Sequence, residues 1–428
     1  MLNIFDGIIQ IKAFRNPISI LHFLGLIFFL LLLLVSVSAV TNPFSVIIAA
    51  ITFLVFVLIF FPIKIETKKD FLIFLIFIVI LGTLLRLGLS FYYYGNFDMQ
   101  SYNLVSDLVL QDLNVYNETT RYNYSPVWFN ILGPLKLFSN TYLFPFHFTI
   151  RAFLTFIDFF SLLLLLAIGR LERLSYDGLI KVSILFYLNP VSYLLTGYHG
   201  QFENLALFFT LLGLFFYLKL HNGTGYSKFI SWLSYSLGFI IKHDTLILAL
   251  IGTVNLFKKA KYAIILFSIT ILLFLLTFIF YWPTGSQGII NNVFLYGSIE
   301  GNYGITSFVK IPYLKYLFII GLLMYPFLIK NRENIEQFLL GSIFFIAFTT
   351  GIGIQYFVLP VAFGALRPSN WFLLYTFIAS IAILGNANNL GLYGFNFFSL
   401  NAIWVCTIFW FVFAHFKLST NLFLPSES

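Results

Sequence analysis

The chain has 428 residues, of which 60% are hydrophobic and only 9% are charged. A soluble domain carries about 25% charged residues, so the composition excludes a soluble domain large enough to stand on its own. The formal charge of +8 does not indicate nucleic acid, because the basic residues fall in short stretches between apolar runs, as in membrane proteins. With Cys406 as the one cysteine, a disulfide framework and a cysteine-based metal site are excluded. A buried structural thiol is expected there.

Apolar runs long enough to cross a membrane recur along the chain. A hydrocarbon core about 30 Å thick requires roughly 20 apolar residues in a helix. The sequence therefore predicts an all-α, polytopic transmembrane helical bundle of about 12–14 membrane segments. The candidate spans are about 17–40, 43–63, 71–94, 147–168, 179–197, 203–219, 262–282, 312–329, 370–385 and 395–416.

Basic residues at the ends of these runs predict the orientation. They lie on one side of the bundle, which the positive-inside rule makes cytoplasmic. They are Lys12, Arg15, Lys64, Lys68, Lys69, Arg170, Arg173, Lys181, Lys219 and Lys228. Both termini are then cytoplasmic, and the loop 95–146 lies outside. The Phe- and Ile-rich composition, with no cleavable signal, favours a prokaryotic cell membrane.

Two further apolar regions, about 229–257 and 337–366, have basic residues at both ends. Each is too short for two full spans at 1.5 Å per residue. We therefore expect each to be two short helices, with Lys242-His243-Asp244 at the first break and Gly351, Gly353 and Gln355 at the second. Non-helical backbone at membrane depth must line a cavity or be buried in protein, so both breaks are expected to face the outer loops.

Asp98 is the first candidate catalytic residue, since it follows a span where the chain reaches the outer surface. A carboxylate in this position could accept a proton from a hydroxyl group. The alternative is a structural N-cap for the next helix, for which Asp is also favoured.

A second candidate is the polar turn from His199 to Asn204 between two apolar runs. If this stretch is helical, His199 and Glu203 share a face at i, i+4, and with Gln201 they indicate a binding site. The alternative is a solvated hairpin turn.

Lys242, His243 and Asp244 form a third group. Lys242 or His243 could bind a phosphate, as could Arg121 in the outer loop. Alternatively, Asp244 is simply the internal partner of Lys242.

Asp158 lies in the middle of a span and needs a partner on another helix, because Arg151 is too far along the same helix. A structural hydrogen bond between helices is expected for it. No zinc-binding spacing occurs among the six histidines, so no metal is predicted.

The order of these groups is distinctive. It runs through Phe97-Asp98, Val115-Tyr116, Tyr122-Asn123-Tyr124-Ser125-Pro126, Asp158, Asn189-Pro190, His199 to Glu203, Lys242, Tyr303-Gly304, Gln355-Tyr356 and Leu359-Pro360. In this order the chain resembles the GT-C superfamily of membrane glycosyltransferases, which use polyprenyl-phosphate-linked sugars. The resemblance covers roughly residues 80–365, and is closest to dolichyl-phosphate-mannose or -glucose dependent enzymes. Ser125 and Glu203 depart from the proline and aspartate of many relatives.

The resemblance implies an inverting hexosyltransferase, with mannose favoured, acting on the extracytoplasmic face. The donor would be a polyprenyl (dolichyl) phosphate sugar, the acceptor a lipid-linked glycan or other glycan, and no cofactor would be required. Asp98 would activate the acceptor hydroxyl. The residues implied to bind substrate or phosphate are Arg121, Tyr124, His199, Gln201, Glu203, Lys242, His243, Gln355 and Tyr356.

The domain organisation follows from the same comparison. Two N-terminal helices occupy residues 1–70, a GT-C-like core module 71–257 with the outer catalytic loop 95–146, and the C-terminal helices 258–428 with an outer loop at 283–309. Membrane lipids surround the bundle.

Two other functions fit the same residues. A transporter or flippase of a lipid-linked sugar would use the buried charges as a substrate path. A non-catalytic membrane subunit would keep the fold, and Asp98 and the His199 group would then be dispensable.

Overall fold

The computed structural model describes residues 65, 67–219, 225–257, 259–296, 303–310, 313–385 and 396–417. Within these ranges the regular elements are helices, and no strand is formed. The all-α prediction is therefore confirmed for this part of the chain. The predicted spans 17–40 and 43–63 lie outside the described residues.

The helices follow one another with short connections. In chain order they are α1 (Lys68–Tyr92), α2 (Phe97–Leu110), α3 (Val115–Glu118), α4 (Pro126–Tyr142), α5 (Phe146–Leu171), α6 (Tyr176–Tyr187), α7 (Pro190–Leu194), α8 (Glu203–Lys219), α9 (Gly225–Ile241), α10 (Leu246–Leu256), α11 (Ala260–Leu276), α12 (Trp282–Gly288), α13 (Leu314–Leu328), α14 (Asn334–Phe348), α15 (Leu359–Leu366), α16 (Asn370–Gly385) and α17 (Asn396–Phe416). Single turns of π-helix occur at Leu195–His199 and Ile289–Phe294, and 3-10 turns at His243–Thr245, Gly304–Ser307 and Ile354–Val358.

The described residues belong to two compact units, Ile65–Arg367 and a second that begins at Pro368. Helices α1 to α15 make up the first unit. In the second, α16 packs against α17, with the rings of Tyr375 and Trp410 5.3 Å apart. Cys406 is buried in this second unit, as expected of a structural thiol.

Three helical stretches are long and apolar enough to cross a membrane. They are Lys68–Tyr92, Phe146–Leu171 and Tyr176–His199, with mean hydropathies of 2.7, 2.3 and 1.4 over their most apolar windows. The first also exposes large apolar side chains, among them Phe77 (56%) and Leu84 (62%). A contiguous apolar surface of this kind is unfavourable in water and suited to lipid. The chain is thus a membrane protein, while the count of 12–14 segments stays a prediction because the other apolar helices are shorter.

The two regions predicted to turn back on themselves are broken helices. Helix α9 ends just before Lys242, and α10 starts after a single 3-10 turn. The hydroxyl of Ser125 donates to the carbonyl of Ile240 at 2.5 Å, which satisfies a carbonyl at the end of α9 that the break would leave without an intrahelical partner. The second break, between α14 and α15, contains Gly351 and Gly353.

A buried ion pair joins α1 to α5 in the interior of the first unit. The Nε of Arg86 donates to Oδ2 of Asp158 at 2.8 Å, and both side chains are fully buried. Asp158 therefore has the partner on another helix that its position requires. Nothing in the sequence singled out Arg86, because the two residues are 72 positions apart.

The pair is the centre of a wider polar network. Arg86 also donates to the carbonyl of Tyr187 at 2.7 Å and to the hydroxyl of Ser192 at 2.8 Å. Thr196 donates to the same oxygen of Asp158, and Asn204 donates to Thr196 at 3.0 Å. The network thereby connects α1 and α5 to the chain segment between α6 and the first turns of α8.

We expect Asp158→Leu to destabilise the protein by about 3–5 kcal/mol, because it leaves the Arg86 guanidinium buried without a carboxylate. The double variant Arg86→Met/Asp158→Leu should recover much of this loss, since both charges are then removed. Unfolding in detergent measures both effects. Ser161→Ala is the control, because its hydroxyl bonds only within α5. A single variant no less stable than this control would contradict the assigned role of the pair.

Candidate functional site

Residues from three separate segments meet at one end of the first unit. We call this group the polar cluster. It consists of Asn96, Asp98, His199, Gln201, Glu203 and Lys242. Four of these are among the residues predicted from sequence to bind substrate or phosphate, and Asp98 is the predicted catalytic residue. Asn96 was not predicted.

The Asp98 carboxylate is held through one of its two oxygens. Oδ2 accepts from the side-chain amide of Gln201 at 2.5 Å and from that of Asn96 at 3.2 Å. No donor among the described residues reaches Oδ1, and the side chain is partly exposed. A carboxylate fixed at one oxygen and unengaged at the other is oriented to accept a proton from a bound hydroxyl.

Asp98 does not cap α2. The N-cap position belongs to Asn96, and Asp98 lies in the first turn of the helix. A negative charge in a first turn is stabilised by the partial positive charge of the helix N-terminus. The structural alternative for Asp98, an N-cap, is therefore wrong in its detail.

The turn that carries His199, Gln201 and Glu203 is not one continuous helix. Gly200 has φ +65°, a left-handed conformation that ends the π-helical turn, and α8 starts at Glu203. The expected i, i+4 face shared by His199 and Glu203 is thus wrong. Instead, Nδ1 of His199 lies 3.1 Å from the amide nitrogen of Asn96, while Glu203 turns to Lys242. These side chains are 1–2% exposed, which excludes a solvated hairpin turn.

Lys242 forms a buried ion pair with Glu203. Its Nζ also lies 4.2 Å from the centre of the Phe202 ring and 4.8 Å from that of Tyr124. The internal partner of Lys242 is therefore Glu203, and the alternative that named Asp244 is wrong. Oε2 of Glu203 and both carboxylate oxygens of Asp244 are buried and have no hydrogen-bond partner within the described residues.

Aromatic rings form a wall beside these charges. Trp128 stacks on Phe202 with ring centres 4.2 Å apart, and Tyr124 meets Phe202 edge to face at 4.9 Å. The Tyr102 hydroxyl donates to Oε1 of Gln201 at 3.4 Å. Burial raises the pKa of the Tyr102 and Tyr124 hydroxyls well above the ordinary value, and nearby carboxylates raise it further. Both hydroxyls are therefore protonated donors.

Arg121 lies in the loop between α3 and α4, and its side chain contacts the start of α2 beside Asp98. Its NH2 donates to the carbonyl of Phe97 at 3.2 Å and its Nε to Ser101 at 3.1 Å. The guanidinium covers the Phe97 ring at 3.8 Å. The side chain is partly exposed, and no ion pair engages it in the described part of the chain.

The remaining predicted residues lie in two nearby turns. The His243 ring is 6.2 Å from that of Tyr124. Tyr356, in the turn Ile354–Val358, is close enough to Asp244 and Glu203 to be influenced by their charges. Gln355 is in the same turn, but forms no hydrogen bond to the polar cluster in the described residues. The structure thus brings both helix breaks close to the cluster, although Gln355 does not contact it.

Arg151 supports the polar cluster. In the sequence analysis it was weighed only as a partner for Asp158. Its guanidinium is buried and donates to the carbonyls of Tyr93 at 2.6 Å and Tyr94 at 2.8 Å. Gly95 and Gly200 both lie against this side chain. The only sequence signal was an arginine inside an apolar run, opposite two glycine-containing turns.

The site has no ready-made metal centre. In the described ranges, no group of three His, Cys, Asp or Glu side chains could hold a metal ion. The cation beside Asp98 without a carboxylate partner in the described residues is Arg121, since Lys242 is paired with Glu203. What the arrangement offers chemically is a base, one unpaired cation, buried carboxylate acceptors and an aromatic wall.

No protein-family model, curated protein or solved structure matches this chain. The function is therefore argued from the geometry of the site.

We expect Gly95→Ala to destabilise the protein by about 1–3 kcal/mol, since Gly95 has φ +103° and an added Cβ would meet the Arg151 guanidinium. Gly225→Ala is the matched control, because no atom lies within 4 Å of a Cβ at that position. It should be neutral or slightly stabilising, by up to about 1 kcal/mol. Thermal unfolding of both variants in detergent measures the difference. Equal stability of the two variants would contradict the role assigned to Arg151 and this turn.

Proposed function

We propose that the protein is a membrane glycosyltransferase that moves a hexose, mannose favoured, from a polyprenyl-phosphate-linked donor to a glycan or glycolipid acceptor on the extracytoplasmic face. The observation that carries this proposal is the state of Asp98. Its Oδ2 is fixed by two amides and its Oδ1 meets no donor from the described part of the chain, at the polar end of an apolar helical bundle. A base oriented in this way suits activation of a hydroxyl group.

The proposed reaction is a single displacement at the anomeric carbon. The acceptor hydroxyl gives its proton to Oδ1 of Asp98 while its oxygen bonds to the anomeric carbon. The bond from that carbon to the phosphate oxygen breaks, and the polyprenyl phosphate leaves with the electron pair. Attack opposite the leaving group inverts the anomeric configuration, and no cofactor takes part.

The departing phosphate needs a cation that is not already neutralised. Lys242 is buried and paired with Glu203, so it is poorly placed to supply net positive charge. Arg121 is partly exposed and anchored by Phe97 and Ser101, and these contacts leave NH1 uncommitted. A guanidinium also suits phosphate oxygens through its several donors. We therefore assign the phosphate to Arg121.

The polar cluster and its neighbours also offer hydrogen-bonding partners for the sugar. Unpartnered oxygens of Glu203 and Asp244 are hydrogen-bond acceptors for hydroxyl groups. The protonated hydroxyl of Tyr124 and the nearby Tyr356 add polar groups of either kind. This set of acceptors next to aromatic rings favours a neutral, hydroxyl-rich ligand over a second phosphate at Lys242.

We expect Asp98→Asn to lower the rate of sugar transfer about 10²–10⁴-fold, because the amide cannot accept the proton. Purified protein in nanodiscs would be given radiolabelled polyprenyl-phosphate-mannose or -glucose and a membrane lipid extract. Asp107→Asn is the matched control, because Asp107 lies in the same helix and pairs with Lys136 away from the cluster. The control should retain activity within about twofold.

Two outcomes of this assay would contradict the proposal. If the Asp98→Asn variant transfers sugar as well as the wild type, Asp98 is not the base. If the wild type consumes neither donor but moves the lipid-linked sugar across the membrane, the protein is a transporter.

A further inference from the structure

A polar cavity lies at the end of α8, α9 and α10 that is opposite to the polar cluster. It has a volume of about 370 Å³ and is lined by Tyr217, Lys228, Asn255, Phe257, Lys259 and Tyr262. Helix α8 starts in the cluster at Glu203, and its 17 residues extend about 25 Å at 1.5 Å per residue. The cavity and the cluster are therefore separated by nearly the thickness of a hydrocarbon core.

The two charged residues in the lining of this cavity are both lysines, Lys228 and Lys259. The stretch 219–262, both ends included, contains six lysines and one acidic residue, Asp244, and one of the six, Lys242, belongs to the polar cluster at the opposite end. Asp244 lies at the opposite end, between α9 and α10. Lys228 and Lys259 are exposed and form no ion pair within the described residues. The cavity thus has two lysines available and no carboxylate in its lining.

Two further donors point to an anion. The Nδ2 atom of Asn255 is buried without a hydrogen-bond acceptor among the described residues, which is costly unless a ligand supplies one. Helix α11 also starts here, and its N-cap residue Lys259 has no side-chain cap hydrogen bond. Its first-turn N–H groups therefore add partial positive charge.

The remaining lining residues are of the type found at membrane interfaces. Tyr217, Phe257 and Tyr262 are aromatic, and aromatic rings concentrate at the depth of lipid head groups. Lysines just outside an apolar helix attract anionic lipids for electrostatic reasons. A small soluble anion would interact with the lysines alone, whereas a lipid would contact the lysines with its phosphate and the aromatic rings with its apolar part.

We propose that this cavity binds the phosphate of an anionic membrane lipid, with Lys228, Lys259 and Asn255 contacting the phosphate oxygens. The site is separate from the transfer site, and does not depend on the proposed glycosyltransferase activity. It would hold the bundle at the membrane surface opposite to Asp98.

The experiment measures lipid binding to the full chain in detergent by native mass spectrometry. Phosphatidylglycerol and phosphatidylcholine are the probes, because they share the acyl chains and differ in net charge. Lys228→Gln/Lys259→Gln should weaken phosphatidylglycerol binding at least about tenfold, and leave phosphatidylcholine unchanged. The control Lys68→Gln/Lys69→Gln removes the same charge from exposed lysines at the start of α1 and should have little effect.

Asn255→Leu separates a built site from diffuse attraction, since it changes no charge. It should also weaken phosphatidylglycerol binding severalfold. Equal weakening by the cavity and control variants, or no effect of Asn255→Leu, would overturn the proposal. Inorganic phosphate is tested separately, as a rise in melting temperature that the double lysine variant loses. If inorganic phosphate binds in this way and lipid binding does not depend on the cavity, the assignment to a lipid is overturned. The melting temperature of each variant without ligand serves as the check on folding.

Discussion

The buried pair of Arg86 and Asp158 is the interaction on which the rest of the first unit depends. Two opposite charges inside an apolar bundle are tolerable when they neutralise each other and most of their hydrogen-bonding groups are satisfied. Arg86 donates to Asp158, two backbone carbonyls and Ser192, and Oδ2 of Asp158 accepts from Arg86 and Thr196, while its Oδ1 has no partner among the described residues. The pair therefore holds α1 and α5 in one register.

The same pair determines where the site can form. The chain runs from Arg86 in α1 through the connection at Tyr93 and Tyr94 to Asp98 in α2, and Thr196 binds Asp158 just before the turn that carries Gln201. The segment that carries Asp98 and the segment that carries Gln201 are thus both attached to one buried network. Arg151 adds a second anchor by binding the carbonyls of Tyr93 and Tyr94. A base oriented to a fraction of an ångström requires supports of this kind.

Charge is distributed differently at the two ends of the bundle. At the polar cluster Lys242 is already paired, so the ligand is left with acceptors, aromatic rings and the partly exposed Arg121. At the opposite end Lys228 and Lys259 form no ion pair with a carboxylate of the described residues. An internal pair lowers the cost of burying a charge, whereas an unpaired lysine at the surface is available to a lipid. The two ends therefore favour different ligands.

Much of this architecture follows from the order of residues along the chain. Apolar runs predict the helices, and flanking lysines with too few residues between them predict the break at Lys242. The ionisable residues of the polar cluster were also predictable, because such residues rarely lie beside membrane helices without a role, whereas Asn96 was not predicted.

The pairings were not predictable from the same information. Arg86 and Asp158, or Lys242 and Glu203, come together across helices only when the bundle is packed. Neighbours in sequence, such as Asp244 beside Lys242, were misleading for this reason. The left-handed conformation at Gly200 separated His199 from Glu203, and a sequence pattern that assumes one continuous helix cannot show this.

The central claim is that Asp98 and Arg121 act on opposite sides of one reacting carbon. The most direct test is a cryo-EM structure of the Asp98→Asn variant with a polyprenyl-phosphate-hexose bound in a nanodisc. We expect the phosphate to be in hydrogen-bonding contact with Arg121. We also expect room for an acceptor hydroxyl about 3–3.5 Å from the anomeric carbon, between that carbon and the side chain at position 98. A donor bound with its phosphate on Lys242, or with its anomeric carbon turned away from position 98, would show that these two residues do not act in this way.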